Sequence, residues 1–499
     1  METAMTTAAL PVGVNVLPND NENEHTYFHQ VELAWHSFVN QRTQSNGASY
    51  TSRFLHFADM AFDRQSIQFL MEHWVRDLRL QKGNLPSIDS LHLHDCQFDS
   101  AETIRYFLQL LEQLPTRSSL KELCIQGGIT TTTTTVSEEA NDSEESDSPS
   151  CLLETLLIGA RMLPELQTIR LNGLDLEHLG PQVEALVPGL QELDVSDSVV
   201  DNEFWEHLRH GISRSPYGMK AINVSWTNLA TEQLILLVDT MASSSTRNSL
   251  ESLILDGNRV GADSFPALAR LLSDFESLST LSFIACSNLF QQLGDRRKED
   301  GRLFTFTDAL HYNTSLQTLQ MDNVHWTGRL AKPVFKALTS KHTSVQHLST
   351  SGFDDLSSVF AETVPQMLSL RKITAHLDLE CHSLSKALKE NTSLTCVNYQ
   401  TKHNAQSSLK HILVRNQSIH TMSSILQRLN GHDATYPGGN PKESLTSTNW
   451  PLCMEQLTLP TPKESCKNES VQETGASAVY AFLHETSSML PWIRREDKF

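Results

Sequence analysis

The chain has 499 residues, with 39 Lys and Arg against 59 Asp and Glu, a formal net charge of −20. That balance argues against nucleic acid or an anionic membrane as partner and favours a basic protein surface. No stretch approaches the roughly 18 apolar residues of a membrane span, and the eight cysteines (Cys96, Cys124, Cys151, Cys286, Cys381, Cys396, Cys453, Cys466) form no CxxC pair, so they read as thiols of a cytoplasmic protein.

Residues 1–25 carry Thr, Asn and Glu with little apolar content and read as a disordered N-terminus, without the basic and apolar regions of a signal peptide. Residues 26–87 read as a helical cap. Tyr27, Val31, Ala34, Trp35 and Phe38 fall at helical spacing, as do Ile67, Leu70, Met71, Trp74 and Leu78.

From residue 88 the pattern Leu-x-x-Leu-x-Leu returns about a dozen times, roughly every 24–33 residues, the signature of a stacked strand–helix repeat. Its apolar triplets begin with Ile88, Leu91, Leu93; Leu120, Leu123, Ile125; and Leu153, Leu156, Ile158. Leu166, Ile169, Leu171; Leu190, Leu193, Val195; and Met219, Ile222, Val224 lead to the cleanest copy, Leu250, Leu253, Leu255 with Asn258. Leu278, Leu281, Phe283 and Leu316, Leu319, Met321 follow. The pattern then decays through Val345, Leu348; Leu370, Ile373, Ala375; and Leu394, Val397, Tyr399. With the first apolar residue as position one, positions four and six share a strand face and point into the core. Helical stripes fill the intervals, as in Leu234, Leu237, Val238, Met241 and in Ala267, Leu268, Leu271, Leu272.

Asn248, Asn313, Asn391 and Asn416 precede a core apolar residue by two or three places. That is where a residue tolerant of the left-handed conformation would end the helix. Three of them also match the N-x-[ST] glycosylation acceptor, but their fixed place in the repeat favours a structural role. The array runs over 88–429 and is interrupted at 127–150, where six threonines and then Glu138, Glu139, Asp142, Glu144, Glu145 and Asp147 cannot build a core and read as a disordered acidic insertion. Gln291–Arg302 is a shorter, mixed-charge insertion. Residues 430–470 read as a loop-rich linker and 471–499 as a C-terminal helix and tail.

No nucleotide-binding, metalloprotease, hydrolase or calcium-loop motif is present, so no catalytic residue, cofactor or metal site is expected. His92 and His94 lie two apart on a strand and could share a metal, but strand alternation already explains polar residues there. Cys381 and His382 are adjacent and would not face each other.

The triplets and the helix-length returns of residues 88–425 resemble the leucine-rich-repeat superfamily, in its long-repeat, ribonuclease-inhibitor-like class. The resemblance implies an α/β solenoid, a horseshoe with parallel strands on its concave face and helices on its convex face. It also implies a non-catalytic protein-binding scaffold with its partner on the concave face. Positions five, seven and eight would then present Arg170, Asn172, Asp194, Asp197, Asn223, Trp226, Asp256, Gln320, Asp322 and Asn323. An exposed Trp226 among carboxylates has the composition of an interaction hot spot for a basic partner. The alternative is a small-GTPase regulator similar to the Ran GTPase-activating proteins, for which Arg170 is the nearest arginine on that face.

Overall fold

A computed structural model describes residues 54–70, 89–113, 120–127, 130–131, 149–291, 301–324, 327–351, 356–376 and 393–399, with a few single positions besides. The expected disordered start, most of the helical cap, the acidic part of the insertion, the linker and the C-terminal helix lie outside the described residues. The chain divides into two compact units: Met1–Leu190 with Asp201–His207, and Gln191–Val200 with Leu208–Phe499.

In the first unit, β1 (Phe54–Ala58), β3 (Ser90–His94), β5 (Glu122–Gln126) and β7 (Thr168–Asn172) form a parallel sheet in chain order. Leu55, Leu91, Leu123 and Ile169 stand in register at position four. Two-residue strands β2 (Ala61–Phe62), β4 (Gln97–Phe98) and β6 (Thr130–Thr131) make a second parallel ladder just beyond the first. Thr130 and Thr131, expected inside the insertion, thus continue the repeat. Phe62 and Phe98 stack at 5.1 Å, and Phe57 meets Phe62 edge-on at 5.3 Å, so aromatic rings fill the space between the two ladders.

Two expectations are corrected in this unit. β1 precedes the first expected strand, in a stretch read as part of the helical cap, although 64–70 is helical there. Leu153, Leu156 and Ile158 belong not to a strand but to the helix Pro149–Ala160. Leu152, Leu153, Leu156, Leu157 and Ala160 are its buried stripe, while Ile158 is 56% exposed. The triplet matched by letters, but the neighbouring leucines sit at helical spacing, and burial follows them.

In the second unit, β8 (Glu192–Asp194), β9 (Ala221–Asn223), β10 (Ser252–Ile254), β11 (Thr280–Ser282), β12 (Thr318–Met321), β13 (His347–Ser351), β14 (Lys372–His376) and β15 (Cys396–Tyr399) pair in parallel, each with the next. Leu193, Ile222, Leu253, Leu281, Leu319, Leu348 and Ile373 form one buried row at position four. The decayed late copies are therefore strands as well. Helices Asn202–Arg214, Thr231–Ala242, Phe265–Asp274, Gly301–Tyr312, Gly328–Leu338 and Leu356–Thr363 carry the chain between strands. Both expected helical stripes are buried. Among the described residues no helix is long and apolar enough to cross a membrane.

The asparagines before the core triplets work differently from the expectation. Asn313, Asn391 and Asn416 are buried and none has a positive φ. Asn313 Nδ2 donates to Leu272 O at 2.6 Å, while its Oδ1 accepts from the amides of Ser315 and Leu316 at 3.1 and 2.7 Å. Asn391 and Asn416 each donate to two carbonyls of the preceding repeat in the same way. They are side-chain staples between repeats, which satisfy backbone groups that burial would otherwise orphan. Asn248, one residue out of this register, is exposed, and the buried Thr246 accepts the Met219 amide in its stead.

Candidate functional site

The left-handed conformation falls at position eight of the repeats. In the first unit Asp59, Asp95, Gly127 and Gly173 have φ between 48° and 75°, and in the second Asp197, Trp226, Gly257, Ala285 and Asn323 have φ between 55° and 68°. Here the chain turns off the strand while its N–H stays in the ladder. Asp95 donates to Gln126 O at 2.9 Å, Trp226 to Asp256 O at 2.7 Å and Ala285 to Asp322 O at 2.7 Å. A left-handed conformation costs an L-residue about 1–2 kcal/mol and is borne best by Gly, Asn and Asp. Among the described residues, those three types and one Ala fill position eight except at Trp226.

Trp226 is 55% exposed. Its indole lies on Gly257, the position-eight residue of the next strand: a Cβ placed there would come within 2.1 Å of Cδ2 and 2.3 Å of Cε3. Glycine is required at 257 both for its φ of 68° and because the ring occupies the place of a side chain. One face of the indole is thereby fixed and the ring remains half open to solvent.

Of the ten residues expected to meet a partner, Arg170 and Asn172 belong to the first unit and the other eight to the second, on or just after β8, β9, β10 and β12. Several are committed to the fold. Asp194 Oδ1 accepts from Ser196 N at 2.9 Å, and Asn223 Oδ1 accepts from Ser225 N and Oγ at 3.1 and 2.6 Å. Asp256 Oδ1 reaches the next strand, where it accepts from Ser282 Oγ at 2.5 Å and Ile284 N at 2.8 Å. Burial pushes the Asp256 carboxyl above its usual range, with a contribution from the nearby Asp322 charge. Asp322 is itself buried and accepts from Ser349 Oγ, and Asn323 bonds Ser351 through both its amide N–H and its Oδ1. Gln320 is half-buried. Asp197 is exposed and sits immediately before Trp226 in the left-handed line, its N–H donating to Ser225 O at 2.9 Å.

Arg170 Nε lies 3.0 Å from Glu122 Oε1, so its guanidinium is engaged in an ion pair across β5 and β7. Glu122 also accepts from Ser90 Oγ at 3.0 Å. Its hydrogen bond with His92, aided by Ser90 and Arg170, lowers its carboxyl to about 2.

Two outward residues missing from the expected set are Ile254, at position five of β10, and Ile284, at position seven after β11; both are half-exposed. Position counting alone identifies them, but their apolar character hides them in a search for polar contacts. Position nine, which the sequence motif marks at Asn258, is structural. Buried Asn258 donates to Val224 O and Leu255 O at 2.8 and 2.9 Å and accepts from the amides of Thr227 and Leu229 at 3.2 and 2.9 Å. Cys96 and Cys286 occupy the same position with weaker thiol contacts to the preceding strand, and burial pushes each thiol up to about 12.

No protein-family model matches the chain, and no curated protein matches it. Among solved structures it is similar to actin-binding site 2 of leiomodin-1, at 16% identity and a TM-score of 0.28, over 34% of this chain and 95% of that one. It is also similar to TLR13 in its complex with ssRNA13, at 17% identity and a TM-score of 0.35, over 66% of this chain and 38% of that one.

Proposed function

We propose that the chain is a non-catalytic, leucine-rich-repeat scaffold that binds a protein partner on the outward face of β8–β12, with Trp226 as the anchor. The observation that carries this reading is a bulky aromatic held, exposed, in a left-handed conformation that the other described repeats give to small or locally bonding residues. Backbone strain of this kind persists where the surroundings enforce it and clusters at binding sites. A Trp fixed on one face loses little freedom on binding, the property of interface hot spots. Ile254 and Ile284 extend the apolar contact, and exposed Asp197 beside the ring suits a lysine or arginine of a basic partner.

Helical returns between successive strands from β8 to β14 support the ribonuclease-inhibitor-like, long-repeat class. Buried, thiol-form Cys96 and Cys286 support a reducing, cytoplasmic setting.

The test is affinity capture from cell extract with the full chain, a Trp226→Ala/Asp197→Lys variant and a control with Arg270→Ala on the helical side. Partners lost with the first variant and kept by the control support the reading. Equal retention by all three refutes it.

A further inference from the structure

On β1 and β3 of the first unit three histidines share the outward face. His56 and His92 are register partners at position five, and His94 stands at position seven opposite Ala58. The His56 ring lies 6.2 Å from that of His92 and 6.4 Å from that of His94, centre to centre. Each of the two β3 histidines also has a carboxylate beside it. His92 Nε2 is 3.7 Å from Glu122 Oε1 and His94 Nε2 is 3.2 Å from Asp95 Oδ2.

We propose that His56, His92 and His94 bind a divalent transition-metal ion of the Zn²⁺ class, with Glu122 and Asp95 as the carboxylates that orient the β3 imidazoles. Three imidazoles around a tetrahedral ion, with metal–nitrogen bonds of about 2.0–2.1 Å, have ring centres about 5 Å apart. The His56–His92 and His56–His94 spacings therefore need to close by about 1 Å each, a change that side-chain rotation can supply. Ligating histidines generally present their second ring nitrogen to a carboxylate or carbonyl, which sets tautomer and ring orientation; His92 and His94 already have such neighbours. Imidazole ligands suit Zn²⁺, Ni²⁺ and Cu²⁺ rather than Mg²⁺ or Ca²⁺.

Another cluster, His178, Asp201 and Glu203, brings its ligand atoms within 4.8 Å of one another. It is accounted for by the fold. Asp201 Oδ1 accepts the Phe204 amide at 2.7 Å as a cap on the helix Asn202–Arg214, and the positive end of that helix opposes a bound cation.

The proposal is tested by titrating Zn²⁺ into the metal-stripped full chain by isothermal calorimetry. Single variants His56→Gln and His94→Gln are compared with the triple variant His56→Gln/His92→Gln/His94→Gln. Each single change is expected to weaken one site at least 10-fold, and the triple change to lower the stoichiometry by one. Glu122→Gln is expected to weaken the same site by about 10-fold, as loss of an orienting partner does. In parallel, the imidazole proton resonances of the three histidines should shift together as Zn²⁺ is added to the unaltered chain, a reading that needs no variant to fold. Unchanged stoichiometry and affinity in the folded triple variant, or histidine resonances that ignore the metal, overturn the proposal.

Discussion

Replacing Gly257 with Ala tests whether the Trp226 ring sits as described. Two costs are expected. At a φ of 68° a Cβ is unfavourable by about 1 kcal/mol even with nothing nearby. The new carbon would also lie 2.1–2.5 Å from three indole atoms, where contact carbons belong about 3.5–4.0 Å apart, so the ring must move by over an ångström. That displacement forfeits the ring's packing on the backbone, about 1–2 kcal/mol for an aromatic side chain that is half covered. The summed cost of about 2–3 kcal/mol should fall to about 1 kcal/mol when the substitution is made in Trp226→Ala, because no ring remains to collide with. Since a repeat array need not unfold in one step, hydrogen exchange is the better assay. It follows the Trp226 N–H to Asp256 O and Gly257 N–H to Ile284 O bonds, both 2.7 Å. Loss of protection in Gly257→Ala should be largely cancelled in the double variant. If Gly257→Ala costs the same with and without Trp226, the ring does not rest there and its role as a fixed anchor is refuted.

Asn313→Ala should destabilise by about 2–3 kcal/mol, since it orphans the buried Leu316 amide and Leu272 carbonyl and the half-buried Ser315 amide. Asn248→Ala, at an exposed position, should stay within about 0.5 kcal/mol, and thermal denaturation of the pair separates staple from turn residue. His207 links two helices through Glu184 Oε2, 2.5 Å from its Nδ1, with Glu203 3.6 Å from Nε2. The Glu184 hydrogen bond raises its folded pKa above 6.5. A raised value means the link is fully stabilising below pH 6.5 and is lost as pH climbs through the folded pKa. The Tm gap between the parent chain and His207→Gln should therefore be widest in mildly acidic buffer and close on the alkaline side; a gap that widens with pH contradicts the assignment.

The repeat was legible because alternation with period two and helical stripes follow from burial on one face, which acts on every copy. Where reading failed, one copy lacked a landmark or shared its letters with another structure. At β1, Leu55 and Phe57 fill positions four and six, but Ser52 stands at position one, so the triplet is incomplete. At Leu153 the same letters fit a helix, and only the leucines on either side decide. The stapling asparagines were found by recurrence, but their mechanism depends on which carbonyls of the previous repeat come within reach. Counting assigns the candidate residues to positions five, seven and eight but does not reveal what they bond to. Asp256 and Asp322 are taken up by Ser282 and Ser349 of neighbouring strands, partners 26 and 27 residues away that only the register reveals.

The same register explains why Trp226 is informative when other exposed aromatics are not. Tyr217 and Tyr312 are 80% and 63% exposed, but neither stands at a constrained backbone position, and single exposed apolar residues are ordinary on a protein surface. At position eight the fold imposes a left-handed turn that Gly, Asp or Asn would make at less cost. A chain selected for stability alone would place one of them at 226, as it does at 197, 257 and 323. Keeping an indole there, with a glycine beneath it in the next repeat, requires two positions to agree on an arrangement that folding by itself does not demand. A surface that needs a rigid aromatic at that point does demand it, and this coincidence at 226 and 257 directs attention to the outward face ahead of the helices.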